Sequence, residues 1–356
     1  FSFLNKNRPE LVNQKGWIIF QIGLFLLSST ALFGGILLVI AAIYGSFQKG
    51  HKYFKDPWNY PFFIASVLMI VGSIRAYSGW LAWVGLANWL PFFWVFWGFQ
   101  PYLQTSASRR QSALCLLTGS VPILVTGIGQ IFFGWEGPWQ LFNGLIVWFV
   151  SPGGEPNGRL SGLFDYANIA GAWLSLIWPI ALATLLQKNV SFFKRTIIFI
   201  FVIAIVSSLV LTDSRNAWGA LILAVPFVFG SNSWLWLLPL VTCLLIPVFI
   251  AVVPWFGIEL QQFFRAIVPE TIWSRLSDVR YMQERSLAST RLNQWSVAIN
   301  LLQERPWLGW GAAAFSIIYP LRTGLWHGHA HNLPLELSVS NGIPVAVLIV
   351  FTIIFL

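Results

Sequence analysis

The chain alternates apolar runs about one membrane span long with short polar loops as far as residue 256; a long polar stretch then leads to one last apolar run. A bilayer core ~30 Å thick requires ~20 apolar residues of helix to cross it. Runs meeting or approaching that length lie at 17–44, 61–76, 80–100, 111–133, 167–187, 196–212, 216–232 and 234–256, and the last starts near 333. The pattern predicts an all-α fold, a polytopic helical membrane protein with about 9–10 spans in this segment. Its parts would be a transmembrane bundle over 1–256 holding the first eight or nine spans, a periplasmic loop domain over 257–332 with amphipathic helices, and a final span over 333–356. The first run is long for one helix and short for two, and Gly34-Gly35 near its middle favours a tight helical hairpin. Residues 134–166 read as a polar loop rich in Gly and Pro, with Glu136, Glu155, Arg159 and Asp165. After Thr290, Leu292, Trp295 and Ile299 recur at helical spacing and predict an amphipathic helix with that face against the bundle.

Composition agrees with the pattern. The chain is 57% hydrophobic and only 9% charged, with 31 Phe and 21 Trp, which excludes a soluble globular domain of this size. The net charge of +9 forms no continuous basic face or tail, so it points to membrane orientation and anionic lipid, not to nucleic acid. Cys115 and Cys243 both fall in apolar runs, which argues against a disulfide framework or a cysteine metal site and reads them as packing residues. The tryptophans from Trp80 to Trp97 read as lipid-facing or packing surface rather than as a sugar platform. The chain opens on Phe1 without a recognisable signal peptide and closes inside an apolar run at Leu356, so it reads as a segment of a longer protein.

Short loops rich in Lys and Arg stay in the cytoplasm. That rule places 45–58, 104–110 and 188–195 inside, and counting spans onward places 257–330 on the opposite, periplasmic side of a bacterial inner membrane. This stretch carries seven arginines, Arg265, Arg275, Arg280, Arg285, Arg291, Arg305 and Arg322, and no lysine. Its length lets it translocate regardless of charge, because the rule weakens beyond ~60 residues. A guanidinium grips phosphate with two parallel donors, so an arginine-only outer face suggests phosphate binding. The plainer reading, accepted for most of the seven, pairs them with Glu259, Glu270, Asp278, Glu284 and Glu304. Two arginines stand apart: Arg215, in L-T-D-S-R-N-A-W between two spans, and Arg291, which opens the amphipathic helix. An ion pair with Asp213 and simple helix solvation are their plainer readings. His327, His329 and His331, three of the four histidines, lie within five residues at the edge of the last apolar run. Titratable groups concentrated at a membrane boundary mark a candidate site, although interface anchoring would also account for them.

The S-R-x-A-W after a span, the R-x-x-x-W followed by E-R-P-x-L-G-x-G, and the run H-A-H-N-L-P-L-E-L together resemble the O-antigen ligase family, the Wzy/WaaL-like membrane glycosyltransferases, most nearly its cyanobacterial branch. The resemblance covers roughly residues 160–345 and includes F-D-Y-A-N-I-A-G at 164–171. It implies transfer of a glycan from an undecaprenyl pyrophosphate donor to an acceptor hydroxyl on the periplasmic face, as in lipopolysaccharide biosynthesis. By motif position it implies that Arg215 and Arg291 bind substrate, that His331 is the essential histidine, and that Asn332 beside it contacts substrate. The implied partners are the lipid-linked glycan donor, a glycolipid or other hydroxyl acceptor and membrane lipids, with no cofactor and no metal. One departure is visible: where many members carry an acidic residue two positions before the glycine that follows this motif, the chain has Ser340. Ligase and polymerase are not separated by these motifs.

The residues suit that chemistry. Two arginines can stabilise the charge that develops on a departing pyrophosphate without a metal. No D-x-D pair occurs for a metal-bound nucleotide sugar. A neutral imidazole can take the proton of an attacking hydroxyl, which makes His331 the candidate base. Three close imidazoles could alternatively bind a metal. An anion transporter of bicarbonate type is the competing class, but the spans carry few ionisable residues and no inverted repeat is visible. A non-catalytic subunit of a membrane assembly is the third reading.

Overall fold

A computed structural model describes residues 7–188, 190–253, 255, 257–276 and 290–356. In chain order the helices are α1 (Gln14–Leu26), α2 (Ala31–Lys49), α3 (Asn59–Ile74), α4 (Trp80–Leu86), α5 (Leu90–Phe99), α6 (Ser106–Gly119) and α7 (Val121–Phe132). A two-stranded ribbon follows, β1 (Trp139–Leu141) and β2 (Ile146–Trp148), then α8 (Ala167–Leu185), α9 (Phe192–Leu211), α10 (Arg215–Phe229), α11 (Trp234–Val252), α12 (Ile258–Ile267) and α13 (Glu270–Leu276). After the undescribed stretch come α14 (Arg291–Glu304), α15 (Ala314–Thr323), α16 (Leu333–Asn341) and α17 (Ile343–Phe355).

The protein is a mostly α-helical, polytopic membrane protein. Among the described residues six stretches are long and apolar enough to cross a bilayer: Ala31–Gln48, Trp80–Leu103, Ser106–Phe132, Ala167–Leu185, Phe192–Leu211 and Trp234–Val252. Three shorter apolar helices, α3, α10 and α17, accompany them. On α9, Ile197, Ile200 and Ile203 point outward, and α11 exposes Leu235, Leu238, Leu244 and Phe249. Water would solvate such a wall poorly, whereas lipid tails match it.

The chain forms two compact units. The first comprises Phe1–Ile40 and Tyr102–Arg280. At its centre Leu174, Ile177, Trp178 and Ala181, spaced as one face of α8, pack on Val202, Ile205 and Leu209 of α9 and Ala217 of α10. The first apolar run is two helices, and the break falls at Leu27–Thr30 and not at Gly34-Gly35. Hydroxyls account for the position: Ser29 and Thr30 donate to the Leu26 carbonyl, and Ser28 donates to the Gly119 carbonyl of α6 at 2.7 Å, so side chains take over carbonyls at the end of α1 and of its neighbour. The expected loop 134–166 contains the ribbon, with Trp139 opposite Trp148 and a turn through Phe142, Asn143 and Gly144 at positive φ.

A buried glutamine fixes the rest of that loop. Gln130 on α7 donates to the Ser151 carbonyl at 2.8 Å and to Ser161 Oγ at 3.3 Å, and its own oxygen accepts from the backbone N–H groups of Ser161 and Gly162. Gln130→Leu would leave two buried N–H groups without a partner, each costing ~1–3 kcal/mol. The expected result is a lower unfolding temperature in detergent with unchanged helical content by circular dichroism; an unchanged midpoint would refute this account of the loop.

The second unit comprises Ala41–Pro101 and Tyr281–Leu356. Phe62, Ala65 and Met69 of α3 pack with Phe93 of α5, Leu337 of α16, and Val345, Ala346 and Ile349 of α17. A second cluster joins Ala298 and Leu301 of α14 to Phe315, Ile318 and Tyr319 of α15, with Ala330 and Val339. The last apolar run is not one rod. It breaks at Gly342, φ +87°, where the backbone meets the Trp307 carbonyl so closely that a side chain would collide with it.

Two expectations drawn from the sequence are corrected by the packing. On α14 the buried face is Gln294, Ala298 and Leu301, while Leu292 and Ile299 are exposed. Trp295, the third residue of the expected face, is half-buried, and its ring N–H donates to the Ala330 carbonyl at 3.0 Å. Cys243 on α11 is exposed and is no packing residue; Cys115 is half-buried, and its thiol donates to Gln21 Oε1 at 3.1 Å.

Candidate functional site

The second unit brings Arg291, His331, Asn332 and the other two motif histidines to one region. Thr290 caps α14 by accepting from the Asn293 N–H, which makes Arg291 the first helical residue. No acidic residue follows in that first turn. A cation at the positive end of a helix is disfavoured by ~0.3–1 kcal/mol, so the position serves an anion better than it serves the helix. The motif E-R-P-W-L-G-W-G positions the next elements. The N–H groups of Trp310 and Gly311 donate to the carbonyls of Val339 and Ser340 at 2.8 and 2.9 Å, and the Ile343 N–H donates to the Pro306 carbonyl at 2.8 Å. Gly309 sits at φ +69° with the Val339 carbonyl 2.6 Å from where a Cβ would stand. The motif is therefore a dock for the break between α16 and α17.

His331 stands at φ +53°, in the left-handed region. Such a conformation costs a residue other than glycine ~1–3 kcal/mol and persists where neighbours over-determine it. Its ring centre lies 4.2 Å from that of His329, whereas His327 packs edge-on against Tyr319 at 5.3 Å. Partial desolvation lowers the pKa of His331, and the nearby His329, Arg291 and His327 lower it further. His327 is lowered too, by desolvation and then by His329. Both shifts favour the neutral imidazole, the form a general base needs. Asn332 is occupied in part: its side-chain oxygen accepts from the Leu335 N–H at 3.2 Å and caps α16.

Glu336, inside the run H-A-H-N-L-P-L-E-L, gains a role only from its contacts. Its carboxylate accepts from the Ala330 N–H at 3.0 Å and from the Ser340 hydroxyl at 3.4 Å. A carboxylate inside L-P-L-E-L was the available signal, since an acid in an apolar stretch near a membrane needs a partner. Ser340, which stands where the motif resemblance leads one to expect an acid, thus touches a carboxylate supplied from one helical turn earlier.

Arg215 belongs to the first unit. Like Arg291 it is the first residue of its helix, here after Ser214, again with no acid in the first turn. Arg159 braces the chain before it: Nε donates to the Thr212 carbonyl at 2.8 Å, Nη2 donates to Asn168 Oδ1 at 2.7 Å, and the guanidinium stands 5.7 Å from the Tyr166 ring centre. Asn168 is the asparagine of F-D-Y-A-N, so that element holds an arginine in place. A single arginine in an irregular loop has no periodicity, so the sequence shows Arg159 only as one charge of the 134–166 loop.

The remaining arginines divide. Arg322 pairs with both oxygens of Glu304, at 2.7 and 2.9 Å. Arg265 donates to the Ala251 carbonyl and lies over Trp273, and Arg305 lies over Trp310 at 4.1 Å. Arg280, Arg285, Asp278 and Glu284 fall outside the described residues. Among the described residues no group of three or more His, Cys, Asp or Glu is placed to hold a metal ion.

Residues 199–350 match the Wzy_C family, O-antigen ligase. Arg215, Arg291, His331 and Asn332 all lie inside the matched stretch, which begins after F-D-Y-A-N-I-A-G. No curated protein and no solved structure matches the chain.

Proposed function

We propose, with the O-antigen ligase match over residues 199–350 as premise, that the chain transfers a glycan from an undecaprenyl pyrophosphate donor to an acceptor hydroxyl on the periplasmic face of a bacterial inner membrane. One observation carries the reading: both motif arginines open helices whose first turns hold no acid, and one of them neighbours a histidine biased toward its neutral form. Arg215 and Arg291 would neutralise the pyrophosphate as the glycosidic bond breaks, each adding a guanidinium to a helix end already suited to anions. His331 would take the proton of the acceptor hydroxyl as it attacks the sugar. The donor's lipid tail would stay between the spans.

Deleting the gene from a strain that makes the glycan tests the reading. Loss of long-chain surface glycan with accumulation of its lipid-linked precursor is expected; normal glycan with defective anion uptake would favour a transporter. Orientation has its own test, a single cysteine at the exposed Leu321 in a chain with Cys115 and Cys243 replaced by serine. Labelling by an impermeant reagent in cells with an intact inner membrane is expected. Reaction only after that membrane is breached would overturn the periplasmic assignment.

A further inference from the structure

The residue before His331 is held on both of its polar groups by side chains from two different helices. Ala330 is fully buried. Its N–H donates to Glu336 Oε2 of α16 at 3.0 Å, and its carbonyl accepts from Trp295 Nε1 of α14 at 3.0 Å. On the other side of His331, Asn332 caps α16 through the Leu335 N–H. The left-handed backbone of His331 therefore spans two fixed points. Release of either would let its φ return to the ordinary negative range and swing the imidazole away.

We infer that Glu336 and Trp295 are positioning residues for His331, acting through the two hydrogen bonds they make to Ala330. The inference rests on the reading of His331 as the base. Neither side chain needs to touch substrate. Glu336 is itself anchored, since the Ser340 hydroxyl donates to its second oxygen and the Ser340 carbonyl accepts from the Gly311 N–H. The arrangement also accounts for a carboxylate at 336. A carboxylate accepts from both the Ala330 N–H and the Ser340 O–H, whereas a glutamine amide keeps one acceptor and meets the serine only if that hydroxyl turns to accept. Trp295 does what phenylalanine cannot, because its ring N–H reaches the Ala330 carbonyl.

The test compares full-length Glu336→Ala, Glu336→Gln, Trp295→Phe and His331→Ala in nanodiscs, with lipid-linked glycan extracted from the deletion strain as donor. Three quantities are read: the maximal rate, the half-saturating donor concentration, and hydrogen–deuterium exchange of the Ala330 amide. A misplaced catalytic group costs up to ~100-fold in rate, so Glu336→Ala and Trp295→Phe should lose roughly ten- to a hundredfold in maximal rate with half-saturation unchanged. Exchange at Ala330 should quicken in Glu336→Ala, and Glu336→Gln should recover part of the rate because one acceptor survives. Should Glu336→Ala fail to fold, Glu336→Gln and Trp295→Phe still decide. Wild-type rates in both of these, with His331→Ala inactive, would overturn the positioning role and leave the base assignment standing. Near-normal transfer by His331→Ala would overturn the base assignment instead, and exchange at Ala330 would still report whether Glu336 holds that amide.

Discussion

His331→Ala is expected to abolish transfer while leaving lipid-donor binding nearly intact. Removing a proton acceptor acts on the transition state and not on the ground-state complex, so the loss belongs in the rate and not in the affinity. The local electrostatics add a pH signature. Desolvation and the neighbouring His329, Arg291 and His327 all lower the His331 pKa from 6.5, so the imidazole is already neutral at pH 7. Activity should hold as pH falls from 8 toward ~6.5, and its acidic limb should lie below that ordinary value. An acidic limb above it would contradict the environment described for this ring. His327→Ala and His329→Ala should be milder, because His327 packs on Tyr319 and His329 only neighbours the proposed base. Comparable losses at all three would indicate a shared metal site, and little loss at any would indicate an interface anchor. Purified variants assayed separately for transfer and for donor binding distinguish these outcomes.

The second large effect is expected from Arg291→Lys, which keeps the charge and should still lose roughly a hundredfold in rate. A lysine ammonium is a point charge, whereas the guanidinium fork presents two parallel donors to adjacent phosphate oxygens. Helix solvation predicts the opposite, since a lysine at the first position of α14 would be solvated as easily as an arginine. Equal rates for the wild type and Arg291→Lys would therefore remove the pyrophosphate role from this residue. Arg291→Ala should be worse than Arg291→Lys in donor binding as well as in rate, because it removes the charge altogether.

The membrane class was legible because repeated apolar runs of span length, with so little charge between them, could not be covered by a polar surface in water. Arg215, Arg291, His331 and Asn332 are singled out by the motif resemblance, and the variants described above test the roles of Arg291 and His331. Further features depended on contacts that spacing does not record. The first break followed Ser28, Ser29 and Thr30, whose hydroxyls captured carbonyls, and the more conspicuous Gly34-Gly35 stayed helical. The ribbon did have a signal, Asn143-Gly144 between Trp139–Leu141 and Ile146–Trp148, but it lay in a stretch dominated by Gly and Pro. On α14 the apolar spacing finds the half-buried Trp295 but also selects Leu292 and Ile299, which are exposed. The structure buries Ala298 there, where a small side chain lets neighbouring elements come close. Glu336 and Arg159 were visible letters whose partners are a backbone N–H and a backbone carbonyl, and no sequence pattern announces those.

The loop ahead of α8 is tied at three places: Ser151 and Ser161 to Gln130, Arg159 to Thr212, and the Leu160 N–H to the Leu211 carbonyl at 2.9 Å. A segment splinted in this way is unsuited to serve as a gate. Gating loops are drawn from weakly held chain, and this one is bonded to the ends of two helices. Since Arg159 of this loop grips the Thr212 carbonyl just ahead of Arg215, any chemistry at that arginine would take place beside fixed chain, and turnover would not wait on this loop to open.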